Sequence, residues 1–168
     1  MTKAIATTID MALAERVIAA GTVSSRMLVT AESCTGGMVT AALTDVAGAS
    51  AVLDRGFVTY SNDAKSDLLG VSGTTLAAHG AVSSETAAEM ATGALAAAPQ
   101  SHVAVSITGI AGPGGGSPDK PVGLVWFGLM ARGQPVMTRR HIFEGDRTMV
   151  RTAAANTALQ LLLDGLTG

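Results

Sequence analysis

A short apolar stretch that turns at once into a helix-favouring stretch constrains the fold of this chain more than any other feature. Residues 26–30 are short and mostly apolar, residues 38–43 favour a helix, and Gly36 and Gly37 stand at the junction. Glycine adopts backbone conformations that other residues avoid, so it permits a tight turn here. The segment therefore predicts a β-strand joined by a turn to an α-helix, which is the unit from which α/β proteins are built.

The same alternation continues along the chain. Ile9, Leu13 and Val17 recur at four-residue spacing and predict a first helix that ends at Gly21. Further strands are predicted over residues 54–60, 103–108, 124–130 and 136–143. Further helices are predicted over residues 64–69, with a start at residues 61–63, over residues 83–98, and over residues 147–163, introduced by residues 145–147. A single helical turn is predicted at residues 74–78. The last two strands are predicted to form a hairpin. This order predicts an α/β fold, a three-layer α/β/α sandwich with a mixed, mostly parallel sheet.

The composition indicates one closely packed domain over residues 1–168. Hydrophobic residues make up 48% of the chain and charged residues 14%, which is unlike a disordered protein. The formal net charge is −2, so the chain lacks the broad positive field that attracts nucleic acid. Residues 1–8 lack the apolar core of a secretory signal, and the longest apolar run, residues 122–131, is too short to cross a bilayer. We therefore expect neither nucleic acid nor a membrane as a partner.

The cysteine and histidine content bears on compartment and metal binding. Cys34 is the only cysteine, which excludes an internal disulfide and a cysteine-based zinc cluster and favours a reducing compartment, the cytoplasm. His79, His102 and His141 stand singly, so we expect no metal and no other cofactor. Two-fold dimers are the commonest oligomers, so a homodimer is the expected assembly.

Ser33 lies at the turn between the first strand and its helix, where a nucleophile would be well placed. A helix start offers unpaired N–H groups, and these are what an oxyanion hole needs. The candidate donors, and hence candidate substrate-binding residues, are the backbone amides of Cys34, Thr35, Gly36 and Gly37. The alternative interpretation is that Ser33 or Thr35 only caps the helix and that the glycines only make the turn.

Tyr60 and Lys65 follow the end of the second predicted strand and could meet Ser33 at the same edge of the sheet. A lysine activates a serine hydroxyl only when its pKa is lowered, and both burial and the positive end of a helix act in that direction. Tyr60 would relay or donate a proton. The alternative is that Lys65 is a solvated surface lysine and that Tyr60 packs at the edge of the sheet.

A glycine-rich loop follows the third predicted strand and is placed to wrap a ligand. Thr108 and Gly109 end that strand, and Gly112 and Gly114 lie in the loop. Arg147, at the start of the last helix, would add a guanidinium for a phosphate. The loop lacks the ending of a P-loop and the dinucleotide fingerprint, so a flexible connector and a surface or capping role for Arg147 remain the alternatives.

Cys34 carries a second hypothesis, that its thiolate at the helix start is the nucleophile. The alternative is that Cys34 is a small buried packing residue.

Five motifs in order along the chain resemble those of the CinA C-terminal domain family, the nicotinamide mononucleotide deamidases. They are residues 31–37, Ala-Glu-Ser-Cys-Thr-Gly-Gly; residues 58–65, Val-Thr-Tyr-Ser-Asn-Asp-Ala-Lys; residues 80–83, Gly-Ala-Val-Ser; residues 107–116, Ile-Thr-Gly-Ile-Ala-Gly-Pro-Gly-Gly-Gly; and residues 120–123, Lys-Pro-Val-Gly. Many members carry a further N-terminal domain, for which we expect this chain to be too short. The resemblance therefore implies only the deamidase activity.

The resemblance implies metal-independent hydrolysis of the carboxamide of nicotinamide mononucleotide to nicotinate mononucleotide and ammonia, in pyridine nucleotide salvage. It implies that Ser33 is the nucleophile, Lys65 its base and Tyr60 a hydrogen-bonding or proton-relay partner. Two other functions stay open from the residues: a non-catalytic nucleotide-binding or competence-related module, and an amidase for a different substrate.

Overall fold

The computed structural model describes residues 7–168 and has one mixed sheet between two layers of helices. The helices are α1 Met11–Ser24, α2 Met38–Thr44, α3 Asn62–Leu69, α4 Gly73–His79, α5 Ser84–Ala97 and α6 Arg147–Thr167, and the strands are β1 Met27–Glu32, β2 Leu53–Val58, β3 Ser101–Gly109, β4 Leu124–Ala131 and β5 Met137–Ile142. The sheet order is β2-β1-β3-β4-β5. Strands β2, β1 and β3 run parallel, and β4 and β5 add an antiparallel hairpin beside β3. The predicted α/β class is confirmed.

The two faces of the sheet bury different side chains because successive residues of a strand point in opposite directions. Leu28 packs with the cluster that includes α1, α2 and α6, whereas its neighbour Val29 packs with the cluster beneath α5 and the end of α3. Val103 and Ala104 divide in the same way on β3. Each central strand is therefore apolar on both faces, as expected for strands covered by helices on both sides.

Most helices begin at a side-chain cap. Ser61 accepts a hydrogen bond from the Ala64 N–H at the start of α3, and Asp146 accepts one from the Met149 N–H at the start of α6. Short polar side chains at these positions satisfy N–H groups that have no partner within the helix. The predicted starts of both helices are confirmed.

The prediction that the first helix ends at Gly21 is wrong. Helix α1 continues to Ser24 and ends at Ser25, which has a left-handed φ of 53°. Gly21 lies inside the helix and is buried against Val52. The position requires glycine because a Cβ there would overlap the Val52 side chain. The glycine permits close packing rather than ending the helix.

Several other boundaries differ from the predicted ones. Strand β1 continues through Ala31 and Glu32, β2 ends at Val58, α4 makes nearly two turns, and α6 runs on to Thr167. The end of β2 leaves Tyr60 outside the sheet, in the connection to α3.

The strand order reverses at β1, because the strands that follow it in the chain, β2 and β3, lie on opposite sides of it. Strand β1 lies between β2 and β3, and all three have their carboxyl ends at the same edge. In open α/β sheets, ligands bind in the crevice outside such an edge. Ser33, Thr59 and Ile110 follow these three strand ends.

Strand β5 is the edge strand on the other side of the sheet, and all six of its residues are exposed. Within residues 7–168, no helix is long and apolar enough to cross a membrane.

Candidate active site

Ser33 and Lys65 lie in direct contact at the carboxyl edge of the sheet. Ser33 follows β1 immediately, is 8% exposed, and is anchored by a 2.9 Å hydrogen bond from its backbone N–H to the Ile107 carbonyl. Lys65 comes from the first turn of α3 and is only 1% exposed. Its Nζ lies 3.2 Å from Ser33 Oγ and 2.9 Å from the Thr59 carbonyl oxygen. Of the three residues predicted to meet here, the structure brings Ser33 and Lys65 into hydrogen-bond contact.

Lys65 is held in conditions that favour a neutral amine. Burial lowers the pKa of Lys65 below its usual value, and the neighbouring Cys34 acts more weakly in the opposite direction. Within residues 7–168, no carboxylate lies within ion-pair distance of its Nζ. A neutral amine in this position donates one N–H to the Thr59 carbonyl and can accept the hydroxyl proton of Ser33.

The serine turn, residues 33–37, is held from one side by Glu32. The buried Glu32 carboxylate accepts hydrogen bonds from the N–H groups of Gly37, Val39 and Thr40 at 3.1, 3.2 and 2.9 Å. It also accepts one from the Thr40 hydroxyl at 2.8 Å. Glu32 thus caps α2, whose Gly37 has no side chain to do so. Sequence reasoning missed this role, although an acidic residue just before a glycine-started helix is a usable signal.

Arg151 holds the serine turn from the other side. It lies in α6, and its guanidinium donates from Nε to the Cys34 carbonyl at 3.0 Å and from Nη2 to the Thr35 carbonyl at 3.2 Å. Sequence reasoning missed this residue as well. Its signal is the spacing from Arg147, because residues four apart share one face of a helix.

The hydrogen bonds of the serine turn narrow the set of predicted oxyanion donors. The Gly36 N–H donates to the Ser33 carbonyl at 3.0 Å, and the Gly37 N–H donates to Glu32. Within residues 7–168, no other residue accepts a hydrogen bond from the N–H groups of Cys34 and Thr35. Of the four predicted donors, these two are therefore available to a ligand.

Two buried hydroxyls near the site also lack a partner. Among the described residues, Thr35 Oγ1 and Thr59 Oγ1 make no hydrogen bond. Thr35 belongs to the serine turn, and Thr59 supplies the carbonyl that binds Lys65. Buried polar atoms of this kind are usually satisfied by water or a ligand.

The Cys34 side chain is placed for packing. Cys34 is buried in the cluster beneath α1, α2 and α6. Burial raises the pKa of Cys34 to about 11, so the thiol stays protonated at neutral pH. This geometry disfavours the thiolate hypothesis.

The Tyr60 side chain is exposed and hydrogen-bonds to Arg147, not to the Ser33–Lys65 pair. It is 62% exposed, and its hydroxyl accepts a 3.0 Å hydrogen bond from Arg147 Nη2. Arg147 Nη1 in turn donates to the Gly112 carbonyl at 2.8 Å. Within residues 7–168, Tyr60 makes no hydrogen bond to Ser33 or Lys65. Arg147 therefore links Tyr60 to the glycine-rich loop.

The glycine-rich loop borders a cavity of about 510 Å³. The cavity is lined by Ala111, Pro113, Val122, Gly145, Asp146, Arg147 and Thr148. Gly112 has a left-handed φ of 85°, and Gly114 faces open space. Thr108 and Gly109 are packed more tightly: the Thr108 hydroxyl donates to the Ala81 carbonyl at 2.7 Å, and a Cβ at Gly109 would crowd Val125.

The histidines are dispersed. His102 Nδ1 accepts a 3.1 Å hydrogen bond from the Met27 N–H, and His79 lies 3.7 Å from Glu85. His141 stacks on Phe143. In the described part of the chain, no three His, Cys, Asp or Glu side chains are grouped so as to hold a metal ion.

Comparison with known proteins identifies the family. The model of the CinA C-terminal domain matches residues 10–166. The chain belongs to this family. Its CinA C-terminal domain is 55% identical over 153 residues to the nicotinamide-nucleotide amidohydrolase PncC of Escherichia coli K12, covering 90% of this chain and 92% of that protein. The resemblance inferred from the five motifs is confirmed.

Other CinA relatives differ in length. A CinA-like protein of Mycolicibacterium gilvum is 48% identical over 159 residues, which cover 95% of this chain but 37% of that protein. The crystal structure of the competence/damage inducible protein CihA from Agrobacterium tumefaciens superposes with a TM-score of 0.89 at 50% identity and covers 94% of this chain and 95% of that one. The same domain therefore occurs both in chains of this length and as part of longer chains.

Proposed function

We propose that this protein is a nicotinamide-nucleotide amidohydrolase that converts the carboxamide of nicotinamide mononucleotide to a carboxylate and ammonia, in pyridine nucleotide salvage in the cytoplasm. Family membership and the 55% identity to an enzyme of that name, over nearly the whole length of both chains, support the reaction. The observation that carries the mechanism is the buried amine of Lys65, 3.2 Å from the hydroxyl of Ser33.

Ser33 acts as the nucleophile and Lys65 as its base. Neutral Lys65 takes the proton of the Ser33 hydroxyl while Oγ bonds to the carboxamide carbon. The anchoring of the Ser33 N–H on Ile107 and of Lys65 Nζ on the Thr59 carbonyl fixes both groups before the substrate arrives. The reacting pair therefore needs little rearrangement.

The N–H groups of Cys34 and Thr35 stabilise the tetrahedral oxyanion, because they are the donors of the serine turn that other acceptors leave free. The Lys65 ammonium then protonates the leaving nitrogen, and ammonia departs from an acyl-serine. Neutral Lys65 next takes a proton from water, which attacks the ester carbon. The ammonium then returns this proton to Ser33 Oγ as the ester bond breaks, which releases nicotinate mononucleotide and regenerates Ser33 and neutral Lys65.

The nucleotide part of the substrate lies against the glycine-rich loop. Arg147 keeps N–H donors beyond the two that bind Gly112 and Tyr60, and these face a phosphate. Tyr60 accepts from Arg147 and so has its own O–H free to donate to the substrate. Gly114, where a Cβ would meet nothing within 4 Å, allows the loop backbone to approach the ligand closely. Gly112 makes room for Val122, and Thr108 and Gly109 support the loop from β3.

The proposal uses no metal and no other cofactor, because the serine, the amine and the backbone amides supply the nucleophile, the base and the electrostatic stabilisation. It treats residues 1–168 as one catalytic domain that assembles as a homodimer and binds neither nucleic acid nor a membrane. Activity that survives a metal chelator and a two-fold mass in light scattering are the expected results.

Ammonia release from nicotinamide mononucleotide tests the function directly. We expect release by the wild type, a loss of at least about 10³-fold in Ser33→Ala with an unchanged circular dichroism spectrum, and weak release from nicotinamide riboside, which lacks the phosphate. Saturable binding of the nucleotide without ammonia release would indicate a binding module. Release from another amide in a substrate panel, but not from the mononucleotide, would indicate a different amidase.

A further inference from the structure

We propose that Arg151 is a positioning residue that sets the direction of the oxyanion-binding N–H groups of the serine turn. This inference rests on the proposed function, which supplies the substrate for its test. The hydrogen bonds from which it is argued do not depend on that substrate. Arg151 acts through the backbone, because its two hydrogen bonds go to the carbonyls of Cys34 and Thr35.

The direction of the Thr35 N–H follows from the geometry of the peptide bond. In a trans peptide the carbonyl and the N–H of the same unit point in opposite directions. The Cys34 carbonyl and the Thr35 N–H belong to one unit, so a guanidinium that holds the carbonyl towards α6 turns the N–H away from α6. The hydrogen bond to the carbonyl also polarises this unit and strengthens its N–H as a donor.

The next peptide units support the same arrangement. The Thr35 carbonyl is held by Arg151, and the N–H of its unit, that of Gly36, donates to the Ser33 carbonyl. That bond fixes the Ser33–Cys34 unit, whose free N–H is the second donor. Arg151 therefore fixes the Cys34–Thr35 and Thr35–Gly36 peptide units directly. The hydrogen bond from the Gly36 N–H to the Ser33 carbonyl then fixes the Ser33–Cys34 unit.

Arg151 and Glu32 stabilise the serine turn through different backbone groups. Glu32 occupies the N–H groups of Gly37, Val39 and Thr40, while Arg151 occupies carbonyls. The guanidinium lies beside Gly36, where an added Cβ would come within 3.4 Å of Arg151 Nη2. Burial is the main cause of the lowered pKa of Lys65. Loss of Arg151 should therefore leave the protonation of Lys65 unchanged.

The chain contains a matched control for an arginine that binds backbone carbonyls. Arg132, in the turn between β4 and β5, donates to the carbonyls of Ser101, Leu95 and Ala98 at 3.0, 3.1 and 3.3 Å. Ser101 begins β3, so these contacts lie at the end of the sheet opposite to Ser33. Arg132→Ala removes a comparable set of hydrogen bonds without touching the serine turn.

The experiment compares Arg151→Ala, Arg151→Lys and Arg132→Ala with the wild type by ammonia release from nicotinamide mononucleotide. We expect kcat to fall roughly 10- to 100-fold in Arg151→Ala, below the 100- to 1000-fold typical of deleting an oxyanion donor outright. KM should stay within about two-fold and the midpoint of the pH profile should not move. Arg151→Lys, whose ammonium lacks the planar fork, should fall between Arg151→Ala and the wild type. Arg132→Ala should keep wild-type kcat.

A second measurement separates this inference from the choice of substrate. The rate at which a fluorophosphonate labels Ser33, followed by mass spectrometry, depends on the oxyanion donors and needs no nucleotide. Slower labelling in the Arg151 variants than in Arg132→Ala supports the inference even if the wild type releases no ammonia from the mononucleotide, which would overturn only the proposed function.

Three results would overturn the role of Arg151: equal losses of kcat in Arg151→Ala and Arg132→Ala, a rise in KM with kcat unchanged, or a shifted pH midpoint. Equal labelling rates in all variants would do the same. Should Arg151→Ala fail to fold, Arg151→Lys decides between these outcomes, because it keeps the charge and most of the side-chain volume.

Discussion

At the scale of single residues, the burial of Lys65 determines how the reaction depends on pH. The ammonium form of Lys65 cannot accept the proton of Ser33, so activity requires the neutral amine. Because burial lowers the pKa of Lys65, the neutral form appears at a lower pH than it does for a surface lysine.

We therefore expect kcat/KM to rise with pH and to level off above a midpoint that lies below 10.5, the usual pKa of lysine. A pH–rate profile of the wild type measures this midpoint. The Arg132→Ala variant, which changes a charge far from Lys65, serves as the control and should give the same curve. A midpoint at the usual lysine value, or a profile that falls as pH rises, would contradict the role of Lys65 as base.

The sequence could predict Ser33 and Lys65 because each follows a predicted strand, and strand ends of a parallel sheet meet at one edge. The sequence offers only weak signals for Glu32 and Arg151, and it does not reveal their partners, for a physical reason. Their partners are backbone groups, whose direction depends on the φ and ψ angles of the serine turn and on how α6 docks against it. The predicted second strand includes Tyr60, whereas β2 ends at Val58 and the Tyr60 hydroxyl accepts a hydrogen bond from Arg147.

At the scale of elements, the position of Lys65 depends on how closely α3 approaches α5. Gly93 lies in α5, and a Cβ there would overlap the carbonyl oxygen of Leu69, the last residue of α3. The contact at Gly93 therefore sets the distance between the C-terminal end of α3 and α5. Because α3 also carries Lys65, this distance affects the position of the Lys65 side chain.

Gly93→Ala should destabilise the protein by about 1–3 kcal/mol, the usual cost of overpacking, and lower Tm by several degrees. It should also reduce kcat, because α3 must move to admit the methyl group. Thermal unfolding and ammonia release measure the two effects. Gly73→Ala is the control: its Cβ meets nothing within 4 Å at the start of α4, so stability should stay the same or rise slightly. Equal Tm values for the two variants would show that the α3–α5 contact adapts freely.

The order and type of the helices and strands could largely be predicted from the sequence. The packing roles of the glycines within them could not. Ser61, Ser83 and Asp146 begin helices in the structure as the sequence predicts, because capping is a local interaction. Gly21 was misread as a helix end because the residue that requires it, Val52, is distant in sequence. Close approaches between elements leave no periodic signal in the chain.

At the scale of the whole molecule, the site combines parts of the chain that are far apart. Ser33 follows β1, Lys65 lies in α3, and Arg147 and Arg151 belong to α6. A ligand that contacts all of them connects elements from both layers of helices, so its binding energy should stabilise the entire domain.

Nicotinamide mononucleotide should therefore raise the Tm of Ser33→Ala, which binds the substrate without turning it over. At about 100 times Kd the expected gain is about 2.7 kcal/mol, or roughly 5–10 °C. Nicotinamide riboside at the same concentration should raise Tm less, and so should the mononucleotide with Ser33→Ala/Arg147→Ala. Identical shifts with and without Arg147 would remove this residue from phosphate binding.

The exposed strand β5 has a consequence for how copies of the molecule meet. Pairing two β5 strands antiparallel at full overlap would set Arg139 of one copy opposite Arg140 of the other, twice over by symmetry. Like charges directly opposite each other destabilise a strand pair. This pairing of two open sheet edges is therefore disfavoured, in keeping with the use of charged residues on edge strands. We expect a homodimer to form through a different surface.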